Sequence, residues 1–236
     1  MDKKKTKFII FGQGRSGSNL LVDLFNSHPD IYCDRELLNK SRLKRKYKLI
    51  RPLIYMFPYK YISSHLDKHA EKTYGFKLMY HQIRKYHGFI NKLYNDDWKI
   101  IHIQRKDVLK QSFSGIIARK KGNYIRKAGA AIDRDQIYID PQDVVKALKN
   151  RLRSLKHEFE ALQGLEYLDV VYENDLAESN LWNKSMERIF HFLNVDPVEV
   201  HTSMLKTDDR TYEERISNYQ EILDYLKNNG YSNFLK

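Results

Sequence analysis

The sequence predicts an α/β fold: one domain, built on a parallel β-sheet flanked by helices. Three observations lead there. Short apolar runs recur at Lys7–Phe11, Thr73–Tyr80, Trp98–Gln104 and Tyr167–Tyr172, alternating with segments whose apolar residues fall at helical spacing. The first run passes through a glycine-rich turn, Gly12-Gln13-Gly14-Arg15-Ser16-Gly17-Ser18, straight into a helical segment, the opening of a βαβ unit. The chain has 236 residues, 42% hydrophobic and 13% aromatic, enough for one large core and too apolar for disorder.

Each element has its own signal. Lys7-Phe8-Ile9-Ile10-Phe11 is apolar almost throughout, as in a strand buried on both faces. Asn19 to Ser27 carries Leu20, Leu21, Leu24 and Phe25 on one helical face, with Ser18 as the expected N-cap and His28-Pro29 as the stop. Thr73–Tyr80 is the second strand, and Ile83–Tyr94 a helix ended near Asn95-Asp96-Asp97. Trp98–Gln104 is the third strand, followed by a helix over Asp107–Lys120. Asp140-Pro141 is a strong helix start, and the pattern runs to about Leu162. Tyr167–Tyr172 is the fourth strand; Leu181–Leu193 and about Arg215–Lys227 are the last helices. No repeat or low-complexity linker divides the chain, so residues 1–236 are expected to form a single domain.

Composition narrows the class. The single cysteine, Cys33, excludes an internal disulfide and any multi-cysteine metal site. No run of 18 apolar residues exists, so no transmembrane helix is expected, and Phe8–Phe11 is too short for a secretory core. A cytoplasmic, reduced protein is the expectation. The net charge of +12 is unevenly spread. Residues 1–134 hold 30 basic and 11 acidic side chains, a net of +19, whereas residues 135–236 hold 12 and 19, a net of −7. Such a distribution suits an anionic partner.

The glycine turn is a phosphate-binding pattern of P-loop-like form. Its glycines let backbone N–H groups turn inward, and the helix N-terminus adds positive potential. The Walker motif needs lysine immediately before its Ser/Thr; Gly17 stands there, and the cation is Arg15 instead. Gly14-Arg15-Ser16-Gly17-Ser18-Asn19-Leu20 resembles the 5′-phosphosulfate loop of sulfotransferases that use 3′-phosphoadenosine 5′-phosphosulfate, with Asn19 in place of the usual last Ser/Thr. A second segment, Ile101 to Ser114, resembles that family's 3′-phosphate element, which implies Arg105 with Ser114, Ser112 being the competing serine. Val170-Val171-Tyr172-Glu173-Asn174-Asp175-Leu176 resembles the strand-end segment whose tyrosine lies near the adenine and whose acids stabilise the core. The tail, Arg215–Leu223 and Tyr231–Leu235, resembles that of bacterial carbohydrate sulfotransferases, and Lys206 and Arg210 are implied to return to the nucleotide.

The resemblance implies sulfuryl transfer to a hydroxyl of a carbohydrate or glycolipid, without a metal. Arg15 would stabilise the leaving phosphate oxygen, and a carboxylate would be the general base. Glu36 matches the glutamate that carbohydrate-type members carry shortly after the first helix. Asp34 is the nearest substitute, and His81 sits where another branch keeps a histidine base. Lys77, on the second strand, is a further cation that would face the donor or snorkel to solvent.

Two segments belong to none of these parts. Lys40–Lys48 has six cations in nine residues and runs into the apolar and aromatic stretch Leu49–Ile62, within a basic insertion of about residues 40–72. That composition suits an anionic membrane surface as a peripheral contact, or an acidic saccharide. Arg119–Ile139 is expected to line the acceptor side. Two rival readings are a P-loop kinase, opposed by the missing lysine before Ser18, and a nucleic-acid-binding protein. The second lacks any helix-turn-helix, finger or RNA-recognition signature, so no nucleic-acid partner is expected.

Overall fold

Successive side chains of a strand point to opposite faces, so a strand apolar at every position must be covered on both sides. In the computed structural model Phe8 and Ile10 join one core and Ile9 and Phe11 another, all fully buried. The structure describes residues 5–39, 43, 49–82, 86–122, 126–127, 134–205 and 209–235. Its strands are β1 (Thr6–Gly12), β2 (Ile31–Glu36), β3 (Thr73–Met79), β4 (Trp98–Gln104), β5 (Arg126–Lys127), β6 (Leu168–Val171) and β7 (Met204–Leu205). Its helices are α1 (Ser18–Phe25), α2 (Arg51–Met56), α3 (Pro58–Leu66), α4 (Tyr86–Asn95), α5 (Val108–Lys121), α6 (Pro141–Leu162), α7 (Tyr172–Asp175), α8 (Trp182–Leu193), α9 (Tyr212–Arg215) and α10 (Tyr219–Asn228).

Five strands form a parallel sheet in the order β2-β3-β1-β4-β6. This is the expected α/β class, a P-loop-like parallel sheet flanked by helices. The chain winds from β1 to one side, returns through β3, then crosses to β4 on the other side of β1. The strand order therefore reverses between β1 and β4, and the crevice at their carboxyl ends is where such sheets bind ligands. One face of the sheet packs on α1 and α8 through Leu21, Leu24, Phe25, Met186, Ile189 and Phe190. The other packs on α2, α3, α4 and the end of α6 through Ile54, Ile62, Ile90, Leu93 and Leu162. A third core joins α5, α6 and α10 through Phe113, Val144, Leu148 and Ile222.

The described elements depart from the sequence reading: α2, α3 and the short β5–β7 pair are additional, and four further differences concern the elements around the turn and the C-terminal part. β2 is an additional edge strand: Asp34, Arg35 and Glu36 hide its pattern, and pairing with β3 creates it. Ser18 is the first helical residue rather than the cap; Gly17, left-handed at φ 84°, occupies the N-cap. Tyr172 begins α7 instead of ending β6. The last helix divides into α9 and α10, α9 carrying its own capping box at Thr211 and Glu214. Lys40–Arg42 and Lys44–Lys48 of the basic run, Lys206, and residues 123–125 and 128–133 of the acceptor-side segment lie outside the described residues. Among the described residues no helix is long and apolar enough to cross a membrane.

Candidate functional site

The turn after β1 is shaped by close approaches. Gly12 leaves the sheet at φ 154°, and a Cβ there would fall 2.2 Å from the Ile103 carbonyl oxygen of β4. Gly17 packs so closely on the Tyr172 ring that a Cβ would fall 2.6 Å from it. Between them Arg15 is left-handed at φ 68°, a conformation that costs a non-glycine residue roughly 1 kcal/mol or more. The buried Ser16 hydroxyl donates to the Gln13 carbonyl at 2.7 Å and ties the turn across itself. The backbone needs glycine at two positions and tolerates strain at a third, as in a loop wrapped around a ligand.

Three arginines meet at this turn, one of them its own Arg15. Arg15 Nε donates to Ser114 Oγ at 2.9 Å. Arg105, at the end of β4, lies over the Tyr172 ring at 4.7 Å, donates to Glu173 at 3.3 Å, and reaches the Arg15 carbonyl at 3.5 Å. Arg151, from the middle of α6, donates to the Gly14 carbonyl at 2.8 Å and to Gln13 Oε1 at 3.4 Å. Burial, then the charges of Arg15, Arg119 and Arg105, pull the Arg151 pKa down to about 10 against the opposing pull of Glu158. Crowded guanidinium groups repel one another, so the crevice favours an anion. Gln111 of α5 joins Arg151 there, its amide donating to the same Gly14 carbonyl at 3.0 Å.

The serine alternatives separate geometrically. Ser112 donates to the Val108 carbonyl of its own helix at 2.8 Å and is 1% exposed. Ser114, two residues further on, faces Arg15. Glu173 accepts from the Lys106 and Asp107 amides at 2.9 and 3.3 Å and so fastens the turn that carries Arg105. Asp175 accepts from the Val171 amide at 2.7 Å, from Ser185 at 3.0 Å and from Arg188 at 3.1 Å, a scaffold role.

Glu36 belongs to a second cluster beside the first. A register shift between Asp34 and Glu36 sets Glu36 opposite Lys77 of β3. Lys77 Nζ lies 2.9 Å from Glu36 Oε1 and donates to Asn19 Oδ1 at 2.6 Å, linking β2, β3 and the start of α1. Asn39 and Gln82 each donate to the other Glu36 oxygen at 2.8 Å. Burial alone would raise the Glu36 pKa, but the Lys77 charge and the Asn39 and Lys77 hydrogen bonds outweigh it and hold the carboxyl below its ordinary value. Burial depresses the Lys77 pKa despite Glu36. Asp34 is engaged elsewhere, accepting from the Tyr74 hydroxyl at 2.9 Å. His81 is exposed on the 3-10 turn after β3, near enough for its charge to act on Glu36. Arg210 donates to the Arg134 carbonyl at 2.5 Å.

Behind the turn lies a polar trio in which His102 and Glu158 are buried and Asp169 is partly exposed. His102 of β4 lies 3.1 Å from Glu158 of α6 and 2.9 Å from Asp169 of β6. Burial pulls the imidazole pKa down, yet the hydrogen bonds and charges of the two carboxylates hold it above its usual value. Burial raises Glu158. Glu158, Arg151, Arg105, Gln13, Gln104 and Gln111 line the cleft between β4, α5 and α6. Sequence reasoning missed Arg151, Gln111 and Gln13, because residues on a long helix or beside a motif carry no spacing signal of their own.

No family model matches the chain, and no curated protein matches it by sequence. Among solved structures it is similar to a sulfotransferase from Alicyclobacillus acidocaldarius, with 14% identity over 95% of both chains and a TM-score of 0.52. A mouse sulfotransferase, SULT7A1, solved as a complex with PAP, aligns at 12% identity over 99% of this chain and 84% of its own, TM-score 0.50. A shikimate kinase from Bacteroides thetaiotaomicron aligns at 10% identity over 80% of this chain and 99% of its own, TM-score 0.51. The chain therefore has the fold that these sulfotransferases share with a P-loop-like kinase.

Proposed function

We propose that the chain is a sulfotransferase that uses 3′-phosphoadenosine 5′-phosphosulfate as donor and a hydroxyl of a carbohydrate or glycolipid as acceptor. The observation that carries this reading is the meeting of Arg15, Ser114 and Arg105 at the switch point between β1 and β4, in a loop with glycine where a kinase needs lysine. Two anionic ends of one ligand match two arginines on adjacent strand tips, and Tyr172 over Gly17 offers an aromatic face beside them. The sulfotransferase neighbours, one of them solved with PAP, support the same reading.

The residues fit the donor as follows. Gly14, Ser16, Gly17, Ser18 and Asn19 would present the turn's N–H and side-chain donors to the 5′-phosphosulfate, with Arg15 as its charged clamp. Arg105 and Ser114 would take the 3′-phosphate. The donor supplies the sulfuryl group. Glu36, kept ionised by Lys77, would accept the acceptor hydroxyl's proton as its oxygen bonds to sulfur. The sulfur–phosphate-oxygen bond breaks at the same time, and Arg15 would bear the charge left on that oxygen. Lys77, between Glu36 and Asn19, would couple the base to the donor loop.

The kinase reading has the shikimate kinase likeness in its favour. Against it, Gly17 is left-handed and packed on Tyr172, which leaves no room for a Walker lysine. Calorimetry with 3′-phosphoadenosine 5′-phosphate, ATP with magnesium, and an oligonucleotide separates the readings. The sulfotransferase reading requires the first to bind best. Glu36→Gln should cut transfer from labelled donor by about 100-fold or more while leaving nucleotide affinity within about twofold. Turnover near the parent rate reassigns the base.

A further inference from the structure

The outer face of α2 is apolar where a surface helix is normally polar. Leu49 is 92% exposed, Met56 66% and Leu53 55%, with Ile50 and Phe57 about half exposed beside them. Their spacing puts them on one side of the chain, while Ile54 and Ile62 fill the core beneath. From Leu37 to Leu66 the sequence contains eight lysines and arginines and no Asp or Glu. Arg51 and Lys60 flank the apolar face, Lys60 lying over the Phe57 ring at 5.5 Å. Of the neighbouring acids, Asp67 caps the end of α3, and Asp96 is engaged by Lys7 and by the Tyr59 hydroxyl.

We infer that this face docks on an anionic phospholipid surface. Opposite charge attracts it: each basic side chain near such a surface adds about fivefold to binding at physiological salt. The exposed side chains choose among anionic partners. Leu49, Ile50, Leu53 and Met56 are aliphatic and gain by entering acyl chains, whereas an acidic saccharide rewards flat aromatic faces. A second copy of the chain would bring two basic patches together, which opposes self-association through this face. The inference is independent of the sulfotransferase reading.

Sedimentation with vesicles tests it, using the full chain. Binding to phosphatidylcholine vesicles with about 30 mol % phosphatidylglycerol should exceed binding to phosphatidylcholine alone by about tenfold or more. Raising salt from about 0.1 M to 0.5 M should weaken it several-fold as the Debye length shrinks. Leu53→Ser/Met56→Ser/Phe57→Ser should reduce binding about tenfold with an unchanged melting temperature, because these side chains support no core. Arg51→Glu/Lys60→Glu should reduce it similarly. Equal binding to neutral vesicles, or no loss in either variant, overturns the inference. So does binding to dextran sulfate without binding to vesicles, or self-association that the triple variant abolishes.

Discussion

Arg105 holds three partners at once: the Tyr172 ring, the Glu173 carboxylate and the Arg15 carbonyl. It is thereby prepaid for a planar, two-pronged contact with phosphate, since little rotamer freedom is left to lose. Arg105→Ala should weaken 3′-phosphoadenosine 5′-phosphate binding by ~1.5–3 kcal/mol, about 10- to 100-fold, as measured by calorimetry. An unchanged affinity removes Arg105 from the 3′-phosphate site. Glu36 makes a separate prediction through its lowered pKa. A depressed carboxyl stays ionised as pH falls, so an activity that needs the carboxylate persists until pH drops through that value. Lys77→Met removes the charge and the hydrogen bond that depress it, and burial then dominates. The acid limb of the pH–rate profile should move to higher pH; a limb that stays in place separates Glu36 from the proton transfer.

At the scale of elements, the loop between β1 and α1 depends on what other elements bring to it. Its Gly14 carbonyl is held by both Gln111 from α5 and Arg151 from α6, its backbone is crowded by Ile103 of β4, and its last glycine lies under Tyr172 of α7. Gly17→Ala asks for a left-handed alanine with its Cβ 2.6 Å from an aromatic ring. It should cost about 1–3 kcal/mol of stability in denaturant unfolding and also reduce nucleotide affinity, because relief requires Tyr172 to move. Gly14→Ala is the control: a Cβ there meets nothing within 4 Å, and stability should hardly change. Equal effects at the two positions contradict the packing argument.

At the scale of the molecule, His102, Glu158 and Asp169 join β4, α6 and β6 across one side of the sheet. His102 has its pKa raised in the folded chain. A raised histidine pKa stabilises the fold fully below its unfolded value, and the benefit is lost as pH rises through the folded value. Glu158, raised by burial, acts in the same direction, because the folded state holds its proton more tightly than the unfolded chain. The melting temperature should therefore fall as pH rises above the ordinary histidine value of 6.5, by about 2–4 °C for each kcal/mol lost in a domain of this size. His102→Gln should flatten that dependence. A slope unchanged in the variant assigns the pH response to other groups.

The sequence by itself determined the class of the fold and the ends of its central strands. Strands buried on both faces read as apolar runs, and β1, β3 and β4 appear at nearly their observed bounds. It also pointed to Arg15, because a turn between strand and helix has its own local chemistry, and the family resemblance of Ile101–Ser114 implied Arg105 with Ser114. What it left undecided depends on contacts between distant residues. β2 exists because β3 pairs with it, against the polarity of Asp34, Arg35 and Glu36. Ser114 faces Arg15, whereas Ser112 bonds back to its own helix, a matter of helical phase relative to a loop 99 residues away. The Lys77 link between Glu36 and Asn19, and the reach of Arg151 into the loop 137 residues before it, are equally long-range. Local sequence sets propensities and turn chemistry. Which side chains meet is set by how the strands cross, and only the tertiary structure decided that.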